Sequence, residues 1–318
     1  MTGQPIVVQS EDLASDASRW LARHCRLVVA PHHSPTFAQA IPIASGLVVR
    51  TFTQVDRALL DRAAELRVVG RAGAGLDNID VAACRERGVE VVYAPDANTQ
   101  SVVEFVIAMM CDALRPRAPL ARAVDADEWA RLRMQDVARI EIGECTVGIL
   151  GLGRIGRRVA AVAGAIGARV AYSDLLDIPA ADRGGARPVS VESLFEESDV
   201  LTLHVDGRPS NRRFVGEALL ARLKDRAVLI NTSRGFVVDN VALAALLRER
   251  PGIRAHLDVH DPEPFGDDYP LLGCPNAVLY PHVASRTARA LDAMSWVVRD
   301  VVAVLEARAP RWPAPPTG

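Results

Sequence analysis

The chain has 318 residues, room at about 150 per domain for two domains, each with a core of its own. Hydrophobic residues make up 49% and charged residues 24%, ordinary globular proportions that exclude wholesale disorder and a collagen-like fibre. Lys and Arg total 37 against 39 Asp and Glu, a formal net charge of -2, so there is no electrostatic footprint for nucleic acid or an anionic membrane and any basic site is local.

Lys224 is the only lysine, which reads as base composition and means that each arginine has to be argued singly. Five cysteines (Cys25, Cys84, Cys111, Cys145, Cys274) have neither paired nor Cys-x-x-Cys spacing, against a disulfide framework and against a zinc or other metal site. The N-terminal MTGQPIVVQSEDLAS is no signal peptide and no apolar run approaches 18 residues, so a soluble, cytoplasmic protein is expected.

In chain order, PIVVQ, RLVVA, GLVVR, LRVVGRAG and VEVVYAP read as five strands roughly 20 residues apart. Such unbroken apolar runs suit parallel strands covered on both faces. Residues 101–114 (SVVEFVIAMMCDAL) read as a buried helix ending near RPRAP. A second series follows in TVGILGLG, ARVAYSD, DVLTLHV, AVLINTS, IRAHLDV and AVLYPHV, a second doubly wound α/β unit with a parallel sheet. One last helix is expected over 287–307, and the Pro-rich tail beyond Pro310 reads as disordered.

The strand TVGIL runs into Gly151-Leu152-Gly153-Arg154-Ile155-Gly156 and then into a helical pattern. That context makes the glycines physical: Gly151 for a tight turn, Gly153 for approach of a pyrophosphate, Gly156 for close helix packing. The helix N-terminus then faces the phosphates. Asp174 ends the next strand, 18 residues past Gly156, where a carboxylate accepts ribose hydroxyls and repels a 2'-phosphate. Leu175 and Leu176 follow it with no arginine, so NAD is expected over NADP.

Four later strands end in polar residues: His204; Thr232-Ser233-Arg234; Asp258; and His282. In an open α/β sheet these ends line the ligand crevice. Glu263 lies between Asp258 and His282, flanked by Pro262 and Pro264. An arginine clamps a carboxylate, a histidine moves a proton, and a glutamate holds the imidazole and favours its protonated form. Taken alone, Arg234 also reads as a surface arginine and His282 as a core histidine. His256 and His260 read as structural or exposed, and His32-His33 as a surface loop.

The stretches VRTFTQV, VVGRAGAGLDNID, NTQSVVEF, VGILGLGRIGRRVA, LINTSRGFVVDNVAL, LDVHDPEP and PHVASRT resemble, in order, those of the D-2-hydroxyacid dehydrogenases, most of all the short phosphoglycerate dehydrogenases. The resemblance implies an NAD-dependent enzyme acting on a D-2-hydroxy acid and its 2-keto partner, with 3-phosphoglycerate as lead substrate. It implies that Arg234, Glu263 and His282 are catalytic, and that Asp174 holds the adenosine ribose and Asp258 the nicotinamide carboxamide. Arg154, Ile155, His204, Val205, Thr232, Ser233 and Ala284 would complete the cofactor site. The backbone of Ala74-Gly75 would take the substrate carboxylate and Arg50 its distal group, with Arg234 and His282 also touching substrate.

It further implies two Rossmann-like domains, the substrate domain discontinuous (1–98 with 285–318) around an NAD domain (99–284), in a homodimer or homotetramer that the apolar helix over 101–114 would suit. Arg131 matches a position that reaches a neighbouring subunit's site. The family's longer phosphoglycerate dehydrogenases append a regulatory domain, and feedback through one is not expected here. One departure is clear: after His204 the chain reads Val205-Asp206-Gly207-Arg208-Pro209 where the family has His-x-Pro and a Thr-rich turn, which alters the loop beside the adenine end of the cofactor. Rival readings are a glyoxylate or hydroxypyruvate reductase, an erythronate-4-phosphate dehydrogenase, and an NAD(H)-sensing corepressor, the last disfavoured by the lack of a basic localisation run.

Overall fold

A computed structural model of the protein describes residues 4–115, 119–135, 138 and 140–316. The chain divides into two compact units, Met1–Ser101 with Ser285–Gly318, and Val102–Ala284. Each is a parallel sheet between layers of helix, the α/β architecture expected.

In the first unit, β1 (Ile6–Gln9), β2 (Arg26–Val29), β3 (Gly46–Val49), β4 (Val68–Arg71) and β5 (Glu90–Tyr93) lie in the order β2-β1-β3-β4-β5. Helices α1 (Ser15–Leu21), α2 (Pro35–Ala40), α3 (Arg57–Arg62) and α4 (Val81–Glu86) make the crossovers. Ser34, Asp56 and Asp80 cap the last three, each accepting from an N–H three residues on, which stabilises each helix by about 1 kcal/mol. Alternate strand residues face opposite layers: Val8, Leu47, Val49, Val69 and Val91 pack towards Phe37, Leu60 and Cys84. Val7, Val48, Val68 and Val92 pack towards Val298, Val301 and Val302 of a C-terminal helix. Burial on both faces, at about 1.5–3 kcal/mol per large side chain, is why these strands carry no polar alternation.

Two sequence expectations change here. The C-terminal helical stretch is two helices, Ala288–Ser295 and Val298–Leu305, separated where Trp296 and Val297 donate three residues back, to Ala293 and Met294, in a tightened turn. The tail over residues 311–316 is ordered. Tyr93 N–H donates to Trp312 O (3.1 Å), Ala314 N–H to Val91 O (2.7 Å), and Arg85 Nη2 to Ala314 O and Pro315 O (2.8 and 2.7 Å). Backbone pairing to the edge of β5 and burial of Ala314 outweigh the bias of a proline-rich composition.

The second unit places β6 (Thr146–Leu150), β7 (Arg169–Ser173), β8 (Arg187–Pro188), β9 (Val200–Leu203), β10 (Val228–Asn231), β11 (Arg254–Leu257) and β12 (Ala277–Leu279) in the order β12-β11-β10-β9-β6-β7-β8. The two-residue edge strand β8 was not expected. Its helices are α5 (Thr99–Leu114), α6 (Ala126–Gln135), α7 (Arg154–Ala165), α8 (Val191–Glu197), α9 (Glu217–Leu220) and α10 (Asn240–Glu249). One face of the sheet carries Leu201, Leu203 and Leu229, the other Val147, Ile149, Val200 and Ile230. α5 packs Val102, Val103, Val106, Met109 and Met110 into that second layer and exposes Glu104, Ala108 and Asp112. It is therefore half-buried, its apolar side consumed by its own unit. The helix ends at Leu114, and residues 116–118 of the expected RPRAP stop lie outside the described residues. Among the described residues no helix is long and apolar enough to cross a membrane.

Candidate active site

Strand order in the second unit reverses between β6 and β9, so a ligand crevice opens at the carboxyl ends of those strands. After β6, Gly151 has φ +91°, a left-handed conformation, and a Cβ there would come within 2.8 Å of the His204 carbonyl beyond β9. A Cβ on Gly156 would stand 2.2 Å from Gly151 O, whereas one on Gly153 would meet nothing. The turn is closed at its first and third glycines and open at its second. In front of that opening, Arg154 and Ile155 begin α7 with amides that have no intrahelical acceptor. Asp174 follows β7, its Oδ2 accepting from Leu152 N–H (2.6 Å) and its Oδ1 from Leu176 N–H (2.9 Å).

His204 shares a hydrogen bond with Thr202 Oγ1 through Nε2 (3.0 Å), and its Nδ1 is buried without a partner among the described residues. Burial pushes its pKa down to about 3, so the imidazole stays neutral. Val205 follows it in the same loop. After β10, Thr232 Oγ1 is also buried without a partner among the described residues. An open glycine cradle, a helix N-terminus, a carboxylate after the second strand and unpaired buried polar atoms together fit a dinucleotide.

A second group of contacts runs through the ends of β10, β11 and β12. Asn231 Oδ1 accepts from Ser233 N–H (2.9 Å) and Oγ (2.7 Å), and its Nδ2 donates to Arg234 O (3.0 Å). That turn sets Arg234, half-buried, with Nη1 donating to Ser233 O (2.7 Å). Gly235 comes next because the His260 backbone lies so close that a Cβ would stand 1.9 Å from it. His260 N–H donates to Glu263 Oε1 (2.7 Å), and Glu263 Oε2 lies 2.7 Å from His282 Nδ1. Burial alone would raise the Glu263 carboxyl, but the hydrogen bond and charge of His282 and the His260 amide outweigh it and hold it below the usual range.

His282 itself has φ +53°, a strained value for a non-glycine residue, of the kind that costs about 1–3 kcal/mol and persists only where the surroundings dictate it. Here Asp258 dictates it. Its Oδ1 accepts from Val283 N–H and its Oδ2 from Ala284 N–H, both at 2.8 Å, while burial pushes its carboxyl up despite those bonds. An imidazole with Nδ1 on a carboxylate and Nε2 turned away is equipped to carry a proton.

In the first unit, Arg50 ends β3, its guanidinium donating to Asp12 O (3.1 Å) and standing close enough to Arg286 that burial and this like charge both disfavour its protonated form. The turn after it is held by Glu11, whose carboxylate accepts from the amides of Arg50, Thr51, Phe52 and Thr53 and from Thr53 Oγ1. Burial works against the Glu11 charge and the four amides overcome it, lowering its pKa. Ala74 and Gly75 lie in the turn after β4, shaped by Arg71, which donates to Ala72 O (2.8 Å) and Asn78 Oδ1 (3.2 Å). Their amides donate to no acceptor among the described residues. Arg131 is exposed on α6 beside Glu128 at 3.9 Å.

Sequence reasoning missed Glu11 and Arg71, which shape turns of the first unit, and Asn231, which shapes the turn before Arg234 in the second. Only Asn231 was signalled, by the turn-forming spacing of Asn and Ser. His260 is buried and structural, with Nδ1 by Tyr269 Oη (3.2 Å) and Nε2 by Tyr280 O (2.8 Å). His256 is likewise buried, while His32 and His33 are exposed. Leu175 and Leu176, not an arginine, come directly after Asp174, but the loop after β9 brings Arg208 within range of the Asp174 charge.

A nucleotide cradle at the switch point of a parallel α/β sheet, with a carboxylate-held histidine on the same unit, defines a dinucleotide-binding oxidoreductase class. Residues 107–284 match the D-isomer specific 2-hydroxyacid dehydrogenase, NAD binding domain. The chain belongs to that family, and its cofactor is NAD. It is 35% identical over 264 residues to D-3-phosphoglycerate dehydrogenase of Archaeoglobus fulgidus, which covers 82% of this chain and 50% of that protein. The chain thus spans about half the length of that relative. It is 39% identical to (S)-sulfolactate dehydrogenase of Chromohalobacter salexigens over 80% of this chain and 82% of the relative. The solved glyoxylate reductase of Paecilomyes thermophila superposes with a TM-score of 0.86 at 26% identity, covering 99% of each chain.

Proposed function

We propose that the protein interconverts a small D-2-hydroxy acid and its 2-keto acid with NAD, 3-phosphoglycerate and 3-phosphohydroxypyruvate being the lead pair. The observation that carries this reading is the Glu263–His282 pair at 2.7 Å beyond the strands of a dinucleotide-binding sheet. The nicotinamide supplies the hydride when bound. His282 gives the accompanying proton to the keto oxygen through Nε2, Glu263 holds the imidazole at Nδ1, and Arg234 clamps the carboxylate and keto oxygens. Asp174 serves the ribose hydroxyls. The cofactor site is completed by Gly151, Gly153, Arg154, Ile155, Gly156, His204, Val205, Thr232, Ser233, Asp258 and Ala284.

The first unit serves as the substrate domain, with the amides of Ala74 and Gly75 receiving the substrate carboxylate. Arg50 and Arg286 repel each other unless an anion shares them, which favours a distal phosphate or sulfonate and agrees with both the phosphoglycerate and the sulfolactate relatives. We place the enzyme in the cytoplasm as a homodimer or homotetramer. Glyoxylate or hydroxypyruvate reduction is the second reading, favoured by the structural likeness to a glyoxylate reductase. Consumption of NADH followed by absorbance, with 3-phosphohydroxypyruvate, 3-sulfopyruvate, hydroxypyruvate and glyoxylate in parallel, tests it. Preference for the phosphorylated and sulfonated keto acids supports the lead class, equal use of glyoxylate moves the assignment to the reductases, and cofactor binding without turnover points to a sensor such as a corepressor.

A further inference from the structure

The loop that departs from the family pattern carries an ion pair that none of the roles above uses. Arg208 and Asp206 meet fork to fork, Nε to Oδ1 at 2.7 Å and Nη2 to Oδ2 at 2.6 Å. The turn between them is closed: Asn211 Nδ2 donates to Asp206 O (2.9 Å) and Oδ1 (3.1 Å), and Pro209 opens the short helix that follows. This loop is continuous with His204, whose carbonyl lies against Gly151, and Gly151 leads to Leu152, whose amide is held by Asp174. The fork therefore stands at the same mouth as the carboxylate that receives the adenosine ribose.

A guanidinium is the group of choice for a phosphate because its planar fork gives two parallel hydrogen bonds. In Arg208 that fork is already taken. With Asp206 neutralising it, the local charge left at the mouth is that of Asp174, which attracts ribose hydroxyls and opposes a 2'-phosphate. We propose that Asp206 is a positioning residue that latches Arg208 away from the cofactor's 2' position and so enforces NAD over NADP. NADH and NADPH differ only at the 2' position, so the latch is read in the ratio of the two affinities.

Both side chains are about half-exposed, which limits what the pair can hold to the worth of a surface salt bridge. The expected effects are correspondingly modest. Fluorescence titration of the full chain with NADH and NADPH reads them without turnover, so failure of the substrate assignment leaves the result intact. Asp206→Asn removes the charge while keeping an oxygen for Asn211, and should tighten NADPH about three- to tenfold relative to NADH. The double variant with Arg208→Ala should lose that gain. The ratio in the double variant should return to within about twofold of the wild type, because a latched arginine contributes nothing to a phosphate, whereas Arg208→Ala alone bares the Asp206 charge and should not tighten NADPH. A ratio unmoved by Asp206→Asn, or a gain that survives in the double variant, would each overturn the latch. If a thermal melt shows that Asp206→Asn unfolds the loop, Asp206→Ser removes the same charge and the same ratio decides.

Discussion

At the carboxyl end of β3 four successive amides, from Arg50 to Thr53, converge on one carboxylate, Glu11. Beyond β11 and β12 two carboxylates, Asp258 and Glu263, converge on one short segment, His282 to Ala284. Both arrangements sit where a parallel sheet opens, yet the first uses an acid to shape main chain and the second uses acids to shape a titratable side chain. Under the proposed function, the difference predicts where each unit's contribution should be read: substrate affinity and stability in the first, turnover in the second.

The largest break in that comparison is His282→Ala. Loss of the proton carrier should lower kcat for keto-acid reduction about a thousandfold while NADH titrates as in the wild type. Asp258→Ala comes next. It strips acceptors from the amides of Val283 and Ala284 and releases the strained backbone of His282, and should cost about 2–3 kcal/mol in urea unfolding as well as turnover. Turnover intact in that variant would mean that Asp258 does not set the histidine.

Glu11→Ala should cost about 1–2 kcal/mol and raise KM while leaving kcat within a few fold, since it loosens the turn bearing Arg50. Its pH signature has a definite sign. The folded-state value lies below the ordinary glutamate range, so the stabilisation is present above about pH 4.3 and is lost as pH falls through the lowered value. Melting temperatures of Glu11→Gln should therefore depend less on acid than those of the wild type. The smallest effect is expected from Glu263→Gln. The glutamine still offers an oxygen to His282 Nδ1, so kcat for reduction should fall only about three- to fivefold while NADH affinity is unchanged. An unchanged kcat would separate Glu263 from the proton transfer.

Much of this was legible in the sequence because apolar runs such as GLVV and VLIN are buried on both faces and announce themselves. That Gly151, Asp174, Arg234 and His282 would follow the ends of strands was legible for a related reason, since each comes just after such an apolar run. Glu11 was not, because nothing local distinguishes a carboxylate that will accept four amides 39 to 42 residues away. Arg208 stood out as part of a segment that departs from the family pattern, but its fork on Asp206 was not legible, because only the folded turn after β9 brings the two side chains together. The ordered tail was hidden by composition, since proline enrichment describes a free chain and says little about one paired with a strand.

That tail also bears on how the protein behaves as a material. β5 is the outermost strand of its sheet, and the segment Trp312–Ala314 occupies its open edge, pinned by Arg85. Removing residues from 311 onward would bare a row of unsatisfied amides and carbonyls beside apolar Val91 and Val92, a template on which other chains can stack. Shortened forms should therefore cloud on concentration or warming, visible by light scattering, even where spectroscopy finds the remaining fold unchanged.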